Sequence, residues 1–331
     1  MKRIFLKLFL GLLPLMVLLT IYFVNDPFKT VYHYKSYFPE NGIQYVILNN
    51  DYTAVETFLG NYKRQKYDSY IFGNSRGLLF HIDKWQNHVQ GTCFQFSASN
   101  ESLFGIERKI ALIDERGLKI KNALLVIDHE LYNRVDESSK FPKHPLLSGK
   151  SEIDFKINSL KGFFDKDFLL QYMPFLFTHN VKKTFFTNVL NTERSEYNYI
   201  TNDMTFPDLD PSIDADTASY YGERRKIFET KAKLPEFYDK TLKDKNKELF
   251  KNIKKIFDKN GTKYKIIISP LYYSSRTNPE DYATLCDIFG KDNIFDFSGI
   301  NEITIDKYNY YENSHFRPRI ANKIMDSIYK K

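Results

Sequence analysis

Short apolar runs alternate with helical patterns along most of this chain, and this alternation limits the fold more than any other feature. Five runs have the length and the β-branched or aromatic content of buried strands, at residues 68–75, 92–99, 122–128, 263–270 and 293–297. Helical patterns alternate with them, at residues 76–88, 102–117, 248–261, 279–290 and 317–329. Strands joined through helices pair in parallel with right-handed crossovers. The sequence therefore predicts an open α/β sheet with helices on both faces.

The alternation is interrupted between residues 129 and 247, which are rich in aromatic, charged and helical pieces. We interpret this stretch as an insertion after the third strand, because ligands of such sheets bind beyond the carboxyl ends of the strands, where a lid or partner surface would lie. Its aromatic residues predict a packed subdomain or, where rings are exposed, a surface for stacking on sugars. The chain then divides into an N-terminal segment at residues 1–25, an approach segment at 26–65 and an α/β domain at 66–331. The approach segment contains one apolar run, residues 43–48, which we interpret as a strand or a packing arm.

The N-terminus carries a long uncharged segment. Residues 8–24 contain no charge, and with the apolar residues before Lys7 the segment reaches about 20 residues, just enough to cross a hydrocarbon core of about 30 Å. Lys2 and Arg3 precede it, so the positive-inside rule places the N-terminus in the cytoplasm. We expect an uncleaved signal anchor with the C-terminal domain outside the cytoplasm. A cleaved signal peptide is the alternative, although no small-x-small cleavage motif follows.

Composition excludes several other classes of protein. The chain has 331 residues with 48 Lys and Arg against 41 Asp and Glu, a net charge of +7. Three of these cations lie in the first seven residues, which leaves +4 (7 minus 3) for the rest, too little and too dispersed for nucleic acid binding. The two cysteines, Cys93 and Cys286, are too few for a disulfide framework and wrongly spaced for structural zinc. We expect no nucleic acid partner, no metal and no cofactor.

A serine stands where the first predicted strand ends. Ser75 lies between Asn74 and Arg76, with Gly73 and Gly77 on either side. A serine in a strand-to-helix turn projects its hydroxyl over the sheet, and the neighbouring amides can hold an oxyanion. The alternative for Ser75 is an ordinary turn that caps a helix.

A histidine and a carboxylate lie together 240 residues further on, just before the terminal helix. Glu312 and His315 are three residues apart, a spacing that lets one tight turn hold the carboxylate against the imidazole. Such a carboxylate fixes the histidine tautomer and supports the imidazolium that forms when His315 takes a proton from a serine. The alternative for His315 is a helix-capping or packing histidine.

Strand-Gly-x-Ser at the start of an α/β domain, paired with acid-x-x-His before its last helix, resembles the SGNH/GDSL hydrolase superfamily. More narrowly, it resembles the membrane-anchored branch that includes the D-alanyl-lipoteichoic acid biosynthesis protein and the alginate O-acetylation proteins. The resemblance covers roughly residues 66–128 and 263–329. It implies a flavodoxin-like three-layer α/β/α fold with a five-stranded parallel sheet, a largely helical insertion after the third strand and an N-terminal transmembrane helix.

The resemblance also assigns roles to individual residues. It implies that Ser75 is the nucleophile and an oxyanion donor, that His315 is the general base and then the general acid, and that Glu312 is the orienting acid. The family's second conserved block falls on residues 96–102, where a backbone amide completes the oxyanion hole, and Asn100 is our candidate there.

The chain departs from the family pattern at four places. Asn74 replaces the usual Asp, Asn100 stands where Gly is common, and Glu312 replaces the more frequent Asp. No Gly-x-Asn-Asp follows the third strand, where residues 128–133 stand instead. Loss of the oxyanion donor from that block would cost a factor of about 100 in rate if nothing replaced it.

Two functional hypotheses follow. The first is an extracytoplasmic serine esterase or O-acyltransferase that acts on a cell-envelope polysaccharide or related glycopolymer through an acyl-enzyme. By family analogy it would lie in the bacterial cytoplasmic membrane as a single-pass protein, with a membrane O-acyltransferase as a plausible partner. The second is a catalytically inert, membrane-anchored accessory protein that binds glycan or an assembly partner.

Other motifs have simpler interpretations. Arg76 either binds a phosphate or carboxylate of a substrate or points to solvent from a first helical turn. Residues 128–130 include a histidine between two acids, but adjacent side chains at a strand end point to opposite sides, which disfavours a metal site. The acidic residues 208–216 lack the Gly and Glu of a calcium loop and are interpreted as a surface loop. His81 and His88 share a helix face and are expected in the core or at the surface.

Overall fold

The computed structural model describes residues 2–137, 142–181, 190–229 and 235–330. The elements of these residues are, in chain order, α1 (Lys2–Asn25), β1 (Asn41–Ile43), α2 (Asn50–Gln65), β2 (Ser69–Gly73), α3 (Ile82–Trp85), β3 (Cys93–Gln95), α4 (Leu103–Glu115), β4 (Asn122–Ile127), α5 (His129–Asn133), α6 (Pro145–Ser148), α7 (Glu152–Phe163), α8 (Lys166–Thr178), β5 (Arg194–Asn198), β6 (Asp203–Thr205), α9 (Leu209–Ala215), α10 (Thr217–Glu223), α11 (Arg225–Glu229), α12 (Asp244–Asn260), β7 (Lys263–Ile268), α13 (Pro279–Phe289), β8 (Ile294–Asp296) and α14 (Pro318–Tyr329). Short 3₁₀ helices lie at Gly77–Leu79, Lys291–Asn293 and Lys307–Asn309.

The five predicted strands form one parallel sheet in the order β3-β2-β4-β7-β8. Numbered along the chain, this is the order 2-1-3-4-5, which flavodoxin-like sheets have. The two neighbouring strands β2 and β4 are buried along their whole length. The predicted α/β class and its five-stranded parallel sheet are therefore confirmed.

Helices cover both faces of this sheet. Alternate residues of a strand point to opposite faces, so Tyr70 and Phe72 of β2 pack with α2, α4, α12 and α13, whereas Ile71 packs with Trp85 and α14. Each set of side chains forms a separate buried cluster. The domain consequently has three layers, helix, sheet and helix, with its core divided by the sheet.

The helix predicted at residues 76–88 is not continuous. The chain forms a 3₁₀ turn at Gly77–Leu79, becomes extended at Phe80 and starts α3 only afterwards. Two distant side chains favour this break. Gln95 donates to the carbonyls of Gly77 and Phe80, and Asp203 accepts from the amide of Ile82 at the start of α3.

The approach segment contributes a helix that the sequence pattern did not reveal. Helix α2 packs into the core, and its first turn is linked to α4 by a buried cluster of charges. Lys109 lies 2.8 Å from Asp51 and also contacts Glu101, while Lys143 contacts both carboxylates. Burial alone would raise the pKa of Asp51, but the two lysines hold this pKa below its usual range. The approach segment is thus part of the folded domain.

The apolar run of the approach segment lies against the insertion. Strand β1 pairs with β5, and β5 pairs with β6, to form a small antiparallel sheet. Beyond β1, Val46 makes an isolated bridge with Leu190, which fits the packing-arm interpretation.

The aromatic residues of the insertion are largely packed. Phe163, Phe168 and Tyr172 are buried together with Tyr22 at the end of α1 and Tyr52 of α2. The expected packed subdomain is confirmed for these residues. Some neighbouring apolar side chains of the insertion remain exposed, including Leu170 and Phe177.

Helix α1 joins this aromatic cluster at its C-terminal end, where Tyr22 packs on Phe163. After the helix, Asp26 accepts from the amides of Thr30 and Val31, which fixes the turn into the approach segment. Within the described part of the chain, none of the helices has the combination of length and apolar character that a membrane-crossing segment requires. The N-terminal anchor stays a prediction.

Replacing Phe58 with Ala tests whether α2 belongs to the core. Phe58 is fully buried and contacts five aromatic rings, those of Tyr62, Tyr67, Tyr70, Phe94 and Phe96. We expect Phe58→Ala to lower the free energy of unfolding by about 3–5 kcal/mol, because it leaves a cavity in a close-packed cluster. Denaturant unfolding of the full-length protein, followed by the fluorescence of its single, buried tryptophan, measures this loss.

The matched control is Ile153→Ala, since Ile153 on α7 is exposed. This variant should change the free energy of unfolding by less than about 0.5 kcal/mol. Equal, small effects of both substitutions would contradict the placement of α2 in the core.

Candidate active site

Ser75 lies in a tight turn immediately after the central strand β2. The amide of Gly77 donates to the carbonyl of Asn74 at 2.9 Å, which closes the turn around Ser75. A side chain at Gly73 would place a Cβ only 2.8 Å from the carbonyl oxygen of Val126 on β4, so the strand must end in glycine. The predicted strand-turn-serine arrangement is therefore present, although a 3₁₀ turn rather than a long helix follows it.

His315 lies in a second tight loop, just before α14. The loop is closed by an antiparallel bridge between Tyr310 and Phe316, and the amide of Tyr311 donates to the carbonyl of His315 at 2.8 Å. Within this loop, His315 Nδ1 makes a short hydrogen bond to Glu312 Oε1. The predicted contact between carboxylate and imidazole is confirmed.

The two loops converge. His315 Nε2 lies 2.7 Å from Ser75 Oγ, although the two residues are 240 positions apart in the chain. Glu312 on one ring nitrogen and the serine hydroxyl on the other form the arrangement of a Ser-His-acid triad. The geometry allows His315 to accept the serine proton, while the catalytic roles themselves stay predictions.

Hydrogen bonds keep Glu312 ionised. Burial alone would raise the pKa of this carboxyl group, but the contact with His315 and the donors of Ser314 outweigh it. The Ser314 amide donates to Glu312 at 2.9 Å, and its hydroxyl donates at 2.9 and 3.0 Å. The resulting pKa of Glu312 lies below its ordinary value of 4.5. A carboxylate that is charged at neutral pH can stabilise a positively charged imidazolium.

Arg76 is buried rather than pointing to solvent. Its side chain is 4% exposed and contacts Asp128 through two nitrogens, at 3.1 and 2.8 Å. A third nitrogen donates to the carbonyl of Ser314 at 3.3 Å. The solvent-pointing alternative is therefore wrong, while the expected binding of a substrate anion stays a prediction. Arg76 links the serine turn, the end of β4 and the histidine loop.

Asp128 is the acceptor at the centre of this network. Besides Arg76, it accepts a hydrogen bond from the side-chain amide of Asn74, and it caps α5 by accepting from the amide of Leu131 at 3.0 Å. Asp128 begins the stretch that stands where the family's third block would be. Its side chain holds the serine turn in place, a role that the sequence pattern did not reveal because the partners are more than 50 residues apart.

Asn100, our candidate oxyanion residue, lies in a turn between β3 and α4. It is exposed, has a left-handed backbone with φ of 61°, and both its carbonyl and its side-chain oxygen accept from Arg134. Asn100 is not part of the wall of the cavity that contains Ser75. The predicted oxyanion donor at Asn100 is its backbone amide, which donates to no other group in the described residues, so this role stays a prediction. The backbone amide of Ser75 likewise donates to no other group in the described residues.

A cavity of about 650 Å³ opens from the triad. Ser75 and His315 form part of its wall, and so do segments outside the five-stranded sheet. The approach segment contributes Phe38, Val46 and Leu48, and the insertion contributes Leu190, Met204 and Phe206. The predicted position of the insertion, above the carboxyl ends of the strands, is confirmed for these residues.

The acidic residues 208–216 are not a surface loop, because most of them form helix α9. Arg317, which is buried, binds Asp210 at 2.6 Å and Asp214 at 2.8 Å. The hydroxyl of Tyr220 also donates to the carbonyl of Tyr311 in the histidine loop. These contacts tie the insertion directly to the loop that carries His315.

The three other histidines that the sequence analysis named contact side chains outside the Ser75 turn. His81 lies 3.3 Å from Asp203, and His88 stacks on Tyr329. His129 stacks on Tyr238. Within the described ranges, no three or more His, Cys, Asp and Glu side chains are grouped in a way that could hold a metal ion.

No family model matches this chain, and no curated protein matches it either. The likeness to SGNH/GDSL hydrolases therefore stays a resemblance, which rests on the serine turn, the acid-x-x-His loop and the strand order.

Replacing Arg76 with Ala tests the buried network. This change leaves Asp128 buried without a cation, and breaking a buried ion pair in this way costs about 3–5 kcal/mol of unfolding free energy. As a control, Arg225→Ala removes an exposed arginine that is paired with Glu229, which should cost less than about 1 kcal/mol. Denaturant unfolding measures both. Similar losses of unfolding free energy for the two variants would show that the buried ion pair does not stabilise the site.

The lowered pKa of Glu312 predicts a pH-dependent contribution to stability. A carboxyl group with a depressed folded-state pKa stabilises the fold fully above its ordinary value of 4.5, and this contribution is lost as the pH falls through the lower folded value. The difference in unfolding free energy between the wild type and Glu312→Gln should thus be full above pH 4.5 and shrink as the pH falls below it. A difference that stays constant over this range would contradict the assignment.

Proposed function

We propose that this protein is a serine esterase or O-acyltransferase that moves an acyl group onto or off a cell-envelope polysaccharide or related glycopolymer. The observation that carries the proposal is the 2.7 Å contact between Ser75 Oγ and His315 Nε2, with Glu312 on the opposite ring nitrogen. A capping or packing histidine does not require a serine hydroxyl on one nitrogen and a carboxylate on the other.

The proposed chemistry proceeds through an acyl-enzyme. Ser75 Oγ attacks the carbonyl carbon of an acyl ester while His315 Nε2 takes its proton, and Glu312 stabilises the imidazolium. His315 then returns the proton to the departing alcohol. Water or a sugar hydroxyl attacks the acyl-enzyme in the second half, with His315 again as the base. Hydrolysis and transfer differ only in which acceptor enters the cavity.

The cavity supports an acyl-sugar substrate. Its volume of about 650 Å³ lies in the range of small-molecule sites and exceeds what an acetyl group alone needs. Apolar side chains suit an acyl chain or the apolar face of a sugar ring. Amide and hydroxyl side chains suit sugar hydroxyls, and the wall includes Asn50, Gln171 and Thr205.

We place the catalytic domain outside the cytoplasm, anchored by the N-terminal segment. The support is the uncharged run at residues 8–24 with cations before it. Several apolar side chains of α1, including Phe9, Leu12 and Val24, are also exposed. An anchor would keep the site near lipid-linked or exported glycans, and the resemblance suggests a membrane O-acyltransferase as acyl donor.

One observation favours the alternative of an inert, glycan-binding or partner-binding protein. Residues 128–133 lack the Gly-x-Asn-Asp motif that supplies an oxyanion donor in the family's third block. A site without enough oxyanion donors would bind a substrate without transforming it.

Two measurements on the full-length protein separate these functions. The first is turnover of p-nitrophenyl acetate, which Ser75→Ala should lower by at least about 10⁴-fold because the nucleophile is lost. The second is labelling with a serine-directed fluorophosphonate, which should modify Ser75 stoichiometrically. Ser327→Ala, at an exposed serine on α14, should change neither result. Undiminished turnover by Ser75→Ala, or failure of the wild type to label, would contradict a serine mechanism.

A further inference from the structure

The hydroxyl of Ser97 is buried, and it has no hydrogen-bond partner within the described residues. Ser97 is only 1% exposed, yet it contributes to the wall of the cavity that contains Ser75 and His315. A buried hydroxyl without a partner destabilises a fold, and a functional role or a bound water is among the explanations for such a group. Ser97 combines this property with a place in the wall of the cavity, which favours a functional role.

The position of Ser97 is fixed from several sides. It follows β3, and the neighbouring amide of Ala98 donates to the carbonyl of Gly73 at 3.1 Å. The amide of Ser97 itself donates to the side chain of Gln95 at 3.1 Å. That same Gln95 side chain donates to the carbonyl of Gly77 at 3.1 Å. Gln95 thus ties Ser97 and the serine turn to each other.

The Ser97 hydroxyl lies directly against this turn. A Cβ placed on Gly77 would collide with Ser97 Oγ, so only glycine at position 77 lets the hydroxyl approach so closely. Gly77 is two residues after Ser75 and within the same turn. The hydroxyl therefore lies against the turn that carries Ser75, on the side of β3.

We propose that Ser97 is a catalytic residue whose hydroxyl donates a hydrogen bond to the oxyanion. This assignment rests on the proposed function. As the bond between Ser75 Oγ and the carbonyl carbon forms, the carbonyl π pair moves onto the oxygen, and the serine proton goes to His315. The negative oxygen accepts from Ser97 Oγ–H and from the amide of Ser75. When the tetrahedral intermediate collapses, the bond to the alcohol breaks and His315 protonates that alcohol.

A side-chain donor at this position would replace the oxyanion donor that the family's third block supplies. No Gly-x-Asn-Asp follows β4, so the pattern that carries the side-chain donor of the family's third block is absent there. Ser97 supplies a donor from the neighbouring strand instead. A preorganised donor stabilises the transition state more than the ground state, so its loss should lower kcat rather than raise KM.

The test compares Ser97→Ala with Ser269→Ala. Ser269 is the matched control because its hydroxyl is also buried and without a partner in the described residues, but it lies after β7 and outside the wall of the cavity. We measure kcat and KM for p-nitrophenyl acetate, the rate of Ser75 phosphonylation by a fluorophosphonate, and the midpoint of thermal unfolding.

Ser97→Ala should lower kcat by about 100-fold with KM within about threefold, and it should slow phosphonylation, because the phosphoryl oxygen takes the oxyanion position. Its unfolding midpoint should not fall, since no protein partner is lost. Ser269→Ala should match the wild type in both rates. This pattern separates a catalytic role from a structural one.

The outcomes that overturn the assignment are distinct. Equal rates for the wild type and Ser97→Ala, with Ser75→Ala inactive, would mean that the hydroxyl holds only a water molecule, and would reject the assignment alone. A lower unfolding midpoint in proportion to the loss of rate would reject it in favour of a packing role. A wild type that neither turns over the ester nor labels at Ser75 would reject the proposed function and this assignment with it.

Discussion

The buried ion pair between Arg76 and Asp128 is the contact on which the geometry of the site depends. Arg76 follows the candidate nucleophile directly, Asp128 ends the neighbouring strand, and the same guanidinium reaches the carbonyl of Ser314 in the histidine loop. Burying two charges is costly in itself, so such a pair contributes orientation more than net stability. Its rigid, forked geometry holds three distant parts of the chain in one arrangement. In this arrangement Ser75 Oγ lies 2.7 Å from His315 Nε2, which is the contact that the proposed chemistry requires.

Segments outside the sheet complete the site rather than merely cover it. The approach segment and the insertion pair through a small antiparallel sheet, and both contribute to the wall of the cavity beside Ser75. Arg317 binds two carboxylates of α9 and so fixes the insertion to the start of α14. A site at the carboxyl ends of parallel strands takes its shape from such added segments, because the sheet itself contributes only the loops that follow its strands. Substrate choice would consequently depend on the insertion, and the chemistry on the core.

The sequence alone predicted the parts that local patterns determine. Buried strands such as β2 and β4 show as short apolar runs, and the acid-x-x-His loop contains its own carboxylate contact. The failures all involve a partner distant in sequence. The helix after Ser75 is broken because Gln95 and Asp203 bind its backbone, and residues 208–216 form a helix whose acids pair with Arg317. The contact between Arg134 and the side chain of Asn100 is likewise one that the sequence did not reveal. Periodicity reports which face is buried, but it does not report which distant side chain a polar group will find.

If the convergence of Ser75 and His315 makes this serine a nucleophile, an acyl-enzyme forms at Ser75 and can be trapped. The full-length protein is mixed with an activated acyl ester, quenched in acid within the first turnover and mapped by peptide mass spectrometry. We expect an acyl group on the peptide that contains Ser75 in the wild type, and none there in His315→Ala, because the base is absent. Release of the alcohol by the wild type with no acyl group on Ser75 would rule out Ser75 as the nucleophile.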